Sequence, residues 1–67
     1  MSKQAEFFIY LIERYAEVKN RNTAEVLEEW EALHLRDFIY DMYEIYHVER
    51  LENAFDDIDK LISEKKQ

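Results

Sequence analysis

The sequence contains no glycine, no proline and no cysteine. Without cysteine, disulfides and thiolate metal sites are excluded. Without proline, no position forbids helix through a missing N–H or a ring clash. Without glycine, any turn that needs a positive φ must be built from asparagine or a less willing residue. At average usage a chain of this length would hold roughly five glycines and three prolines, so their joint absence points to an almost wholly helical chain with short connections. Long apolar runs are missing too. None approaches the ~20 residues needed to cross a bilayer. The opening Met1-Ser2-Lys3-Gln4-Ala5-Glu6 leads into a segment carrying Glu13 and Arg14, unlike the uninterrupted apolar stretch of a signal peptide. No membrane association and a cytoplasmic location are expected. The two histidines cannot by themselves close a structural zinc site.

What is present is 67 residues, 48% hydrophobic and 15% aromatic, with 16 acids against 9 bases and a net charge of −7. That hydrophobic content argues against disorder despite the charge. The length allows one helical domain, residues 1–67, which would bury only about 60% of its unfolded surface. A domain this small gains from staples, a metal or an oligomeric partner. The negative balance disfavours nucleic acid. It suits a basic protein partner, or serves solubility.

Hydrophobic periodicity predicts an all-α, compact four-helix domain with short connections, its helices at about 3–19, 23–33, 36–47 and 51–63. Ser2 can cap the first helix, whose broad apolar face holds Phe7, Phe8, Leu11, Ile12, Tyr15 and Val18, with Ala5 and Ala16 on its flank. Tyr10 falls among the charges opposite. Lys19-Asn20-Arg21-Asn22 breaks the pattern, since Asn tolerates the left-handed region. Asn22 with Glu25 resembles a capping box. Val26, Leu27, Trp30 and Leu33 form the second helix's core face. A short break or kink is expected near Ala32–Leu35, and a weaker one at Val48-Glu49-Arg50. In the last helix Leu51, Ala54, Phe55, Ile58, Leu61 and Ile62 face inward. Glu52, Asp56 and Asp59 are expected to face water, and the last turn to fray.

The third helix sorts into three stripes. Leu35, Phe38, Ile39, Met42, Ile45 and Tyr46 follow core-facing spacing, and Asp37, Asp41 and Glu44 form a solvated acidic stripe. Arg36, Tyr40, Tyr43 and His47 lie between. Tyr and Arg are enriched in interfaces because each buries area while keeping a polar tip satisfied. These four, with Tyr10, are the candidate partner-binding residues. The same aromatic flank could instead pack within the chain, and both alternatives stay open. The expected core is Phe7, Phe8, Leu11, Tyr15, Val26, Trp30, Phe38, Met42, Ile45, Phe55, Ile58 and Leu61.

Other chemistry finds little support. Asp56-Asp57-Ile58-Asp59 lacks the glycine and spacing of a calcium loop. Glu31 with His34 and Glu44 with His47 are literal Glu-x-x-His pairs, as in di-iron bundles. That pattern also needs inward glutamates from two further helices, where the acids here point outward. No serine or threonine is tied to a histidine and an acid, and no glycine loop cradles phosphate. We expect no enzyme activity, no metal site and no cofactor.

Glu6-Phe7-Phe8-Ile9-Tyr10-Leu11-Ile12-Glu13, then Ala24-Glu25-Val26-Leu27, Phe38-Ile39-Tyr40, Tyr43-Glu44, Tyr46-His47, Ile58-Asp59 and Leu61-Ile62 occur in an order and spacing that resembles a family of small all-helical bacterial proteins classed as a domain of unknown function. The resemblance covers about Glu6 to Ile62. It departs around Thr23 and after Leu33, where relatives more often carry glycine. Some relatives are encoded beside toxins resembling ADP-ribosyltransferases, which implies an antitoxin-like role. The combined expectation is a non-enzymatic protein–protein interaction module with a basic or toxin-like protein partner. The alternatives are a structural homodimer and a His/Glu metal-binding protein.

Overall fold

The computed structural model describes all 67 residues. Five helices follow one another: α1 Lys3–Val18, α2 Thr23–Ala32, α3 Arg36–Asp41, α4 Tyr43–Tyr46 and α5 Leu51–Lys65. The first helix is the axis. It packs against α2, α3 and α4, while α5 lies on α4 and reaches α1 through Tyr15, Phe55 and Asp59. The Cα radius of gyration is 11.1 Å, close to the ~11 Å of a folded chain this long.

The caps form where the sequence places them. Ser2 Oγ accepts from the Ala5 N–H at 3.1 Å, and Asn22 Oδ1 accepts from the Ala24 N–H at 2.8 Å. Both long turns then close in the same way. After α1, the Asn20 N–H donates to the Glu17 carbonyl and the Arg21 N–H to the Ala16 carbonyl. After α2, the His34 N–H donates to the Glu31 carbonyl and the Leu35 N–H to the Trp30 carbonyl. These are paired Schellman bonds, which require a left-handed residue just past the helix end. Asn20 supplies it with φ 56° and His34 with φ 60°. The break expected near Ala32–Leu35 is therefore a defined stop, built without glycine.

His34 holds that geometry at a cost, because a Cβ-bearing residue crowds the next carbonyl in the left-handed region. His34→Gly should stabilise the domain by about 1 kcal/mol, raising Tm by roughly 4–8 °C. Thermal unfolding followed by circular dichroism measures this. An unchanged or lower Tm would mean that the turn is not strained.

The expected four helices become five because the third is interrupted at Met42. There the Met42 N–H bonds to the Ile39 carbonyl and the Ile45 N–H to the Met42 carbonyl, a tighter three-residue winding. The last helix runs to Lys65, beyond the expected end near 63, and Lys66 Nζ donates to Glu29 at 2.8 Å. Glu29 also accepts from Arg21 at 2.8 Å. These two bonds hold the Glu29 carboxyl below its ordinary range, so the clasp loosens as pH falls through that lowered value.

Twelve residues are buried: Leu11, Ile12, Tyr15, Ala16, Val26, Trp30, Leu35, Ile39, Tyr46, Ala54, Phe55 and Ile58. Phe7, Phe8, Leu27, Leu33, Met42, Leu51, Leu61 and Ile62 pack around them half-buried. Three expected inward positions are instead exposed: Val18, Phe38 and Ile45. Along α3 and α4 the buried residues are Leu35, Ile39 and Tyr46, with Met42 half-buried between them. Helices α3 and α4 pack against α1, with α2 beside α3 and α5 beside α4. The stripe read from the sequence spanned too wide an arc, and no element remains to cover its outer side.

Candidate functional site

The proposed partner-binding residues divide between two environments. Tyr40 and Tyr43 are half-buried, each against a phenylalanine of α1. The Phe8 and Tyr40 rings lie 5.5 Å apart, and the Phe7 and Tyr43 rings meet edge to face at 5.6 Å. Gln4 Nε2 also donates to the Tyr40 carbonyl at 3.0 Å. Aromatic pairs at such spacing contribute about 0.5–1.5 kcal/mol beyond the area they bury. Much of the aromatic flank thus serves to hold α1 on α3 and α4.

His47, Arg36 and Tyr10 are exposed. The His47 ring stacks on Tyr43 with centroids 4.2 Å apart and planes 10° from parallel. Its Nδ1 lies 2.6 Å from the Tyr43 carbonyl. Arg36 bonds Glu31 at 3.1 Å and Asp37 at 3.2 Å. Tyr10 stands on the outer side of α1, 51% exposed.

Two open depressions flank α3. One, of about 400 Å³, is lined by Phe8, Leu27, Arg36, Asp37 and Tyr40. The other, of about 200 Å³, is lined by Glu31, His34, Arg36 and Asp37, so one Glu-x-x-His pair shares a wall with the Arg36 guanidinium. Glu44 and His47 line neither depression. No group of three or more His, Asp or Glu residues is placed to hold a metal ion.

Two carboxylates of α5, Asp59 and Asp57, have structural partners. Tyr15 Oη donates to Asp59 at 2.5 Å, and Lys19 Nζ donates to the other Asp59 oxygen at 2.5 Å. Tyr46 Oη donates to Asp57. Burial, then the hydrogen bond to an anionic acceptor and its charge, push both phenols well above their ordinary range. The reading of Asp59 as facing water is corrected on this point: it is half-buried and ties α5 to α1. A period-3.6 pattern cannot reveal such a bond, because the tyrosines lie 44 and 11 residues away.

The surface that sequence reasoning missed lies on the outer side of α3 and α4. Phe38, Ile45 and Val48 are 47%, 53% and 72% exposed. Asp37, Asp41 and Glu44 are exposed beside them. The signal was in the sequence, in the unusual width of the apolar stripe, but its width was read as core. No helix is long and apolar enough to cross a membrane.

A sequence model of the family described as "Protein of unknown function (DUF3791)" matches residues 6–65, nearly the span over which the resemblance was read. No curated protein and no solved structure matches the chain.

Proposed function

This chain belongs to the DUF3791 family of proteins of unknown function, and we propose that it is a non-catalytic protein-interaction module whose α3–α4 face receives a protein partner in the cytoplasm. The observation that carries the reading is the exposure of Phe38 on α3, Ile45 on α4 and Val48 just beyond it, while Leu35, Ile39 and Tyr46 of the same segment are buried. Burying the exposed remainder of each such side chain against a partner is worth roughly 1–2 kcal/mol, a gain that this fold leaves unused. Arg36 and His47 are exposed and are further candidate polar contacts. Tyr40 and Tyr43 pack on Phe8 and Phe7 of α1, and Tyr10 is exposed on α1. An antitoxin-like role, with a toxic enzyme as the partner, is the biological form that the family resemblance suggests.

The test is affinity capture from the native lysate with tagged wild type, a Phe38→Ser/Ile45→Ser variant and a Tyr40→Ala/Tyr43→Ala variant, each checked for folding by circular dichroism. Wild type should retain a stoichiometric partner that the folded Phe38→Ser/Ile45→Ser protein loses, with binding weakened in the tyrosine variant. Retention of the same partner by all three would remove the site assignment. Recovery of nothing but the protein itself would leave a homodimer as the better reading.

A further inference from the structure

We infer that the partner segment seated on the α3–α4 face is a cationic amphipathic helix. The inference rests on the interaction-module reading and adds the partner's chemistry to it.

The face has an apolar centre and an unneutralised acidic rim. Phe38 lies on α3, Ile45 on α4 and Val48 in the turn that follows, all three exposed. Asp41 and Glu44 are exposed beside them. The basic side chains that form ion pairs in this fold are Arg14, Lys19, Arg21, Arg36 and Lys66, and none of them reaches Asp41 or Glu44. Asp37 has only Arg36, which it shares with Glu31. A second copy of the chain would bring Asp41 and Glu44 against acids of the same sign, on a protomer already at −7. Lysine and arginine around an apolar stripe complement this rim instead, and steer the encounter as well as holding it.

The backbone decides the partner's secondary structure. A helix face satisfies its own N–H and C=O groups, so it offers no edge to which an extended strand could add. An extended segment here could pair its backbone only with water, whereas a second helix satisfies its own and presents side chains every three to four residues.

The probe is a designed peptide of about 18 residues, long enough to hold helix, with leucines at i, i+3, i+4 and i+7 and lysines flanking them. Its counterpart carries glutamates in place of the lysines, and a third peptide has the same composition in scrambled order. Each is titrated into the isotope-labelled protein by NMR. The lysine helix should shift amides of α3 and α4, and Asp41→Asn/Glu44→Gln or added salt should weaken it about tenfold. Phe38→Ser/Ile45→Ser should abolish binding, while the glutamate and scrambled peptides should not bind. Equal binding of the scrambled peptide, equal binding of the glutamate helix, or shifts elsewhere on the fold would overturn the inference. If the lysine helix failed while Phe38→Ser/Ile45→Ser still released the native partner, the module reading would stand and the cationic helix would fall. If the native partner were also unaffected, both would fall.

Discussion

Trp30→Ala should destabilise the domain by about 3–5 kcal/mol, the largest loss expected of any single substitution in the core. The indole is fully buried, meeting the Phe8 ring edge-on at 5.9 Å and the Tyr15 ring at 5.5 Å. Truncating a core tryptophan costs about 3–5 kcal/mol. A chain this short has roughly 3–10 kcal/mol of total stability, so the loss consumes a large share of it. Trp30→Phe should behave differently. The Trp30 Nε1 donor is buried without a hydrogen-bond partner, a condition that costs about 1–3 kcal/mol. Phenylalanine removes that donor while keeping most of the aromatic volume. Its net cost should therefore be about 1 kcal/mol or less, far below that of alanine. Urea unfolding followed by circular dichroism compares the two. Equal losses would show that the aromatic volume kept by phenylalanine does not offset the loss of the indole.

Removing both buried phenolic hydroxyls is the second large perturbation. Tyr15→Phe/Tyr46→Phe deletes the bonds to Asp59 and Asp57, which join α5 to α1 and to α4. Hydrogen bonds to charged acceptors are worth about 1.5–3 kcal/mol each. The two sites use different partners, so the double variant should lose about 3–6 kcal/mol at neutral pH. The pH dependence follows from the raised phenol pKa values. The folded state keeps these protons where the unfolded chain has lost them. Their contribution is therefore complete below the ordinary tyrosine value of about 10, and it is lost as pH rises from there toward the folded values. Wild type should unfold cooperatively in alkali, with Tyr15 and Tyr46 ionising only as the helices come apart. The double variant should lose less of its remaining stability over the same range. Tyrosinate absorbance recorded together with circular dichroism follows both events. Matching alkaline profiles for the two proteins would show that the hydroxyl bonds do not couple to folding.

The variants that test function act elsewhere. Phe38, Ile45, Asp41 and Glu44 are all exposed, so their substitution should disturb binding with little effect on stability. Tyr40→Ala/Tyr43→Ala does not separate in this way, because both rings pack on α1. A lost partner in that variant needs the fold check beside it.

The sequence by itself determined what depends on near neighbours along the chain. Helix follows from the absent glycine and proline and from the 3.6-residue apolar period. The starts at Ser2 and Asn22 follow from side chains that bond amides two or three residues ahead. The first turn follows from Asn20, which accepts positive φ more readily than most residues. Family membership was legible for the same reason, as an order of short segments along one chain. What only the tertiary structure decided depends on which surfaces the other helices can reach. The stripe from Leu35 to Tyr46 offered more apolar arc than α1, α2 and α5 cover. Leu35, Ile39 and Tyr46 therefore went inward, while Phe38 and Ile45 stayed outside. Tyr40 and Tyr43 were set on α1 by the positions of Phe8 and Phe7. Asp57 and Asp59 became hydrogen-bond acceptors because folding brought distant phenols to them. Periodicity reports how one helix divides its own faces. Which of two apolar columns is buried is settled by the area of the neighbours, and in 67 residues there was not enough to bury both.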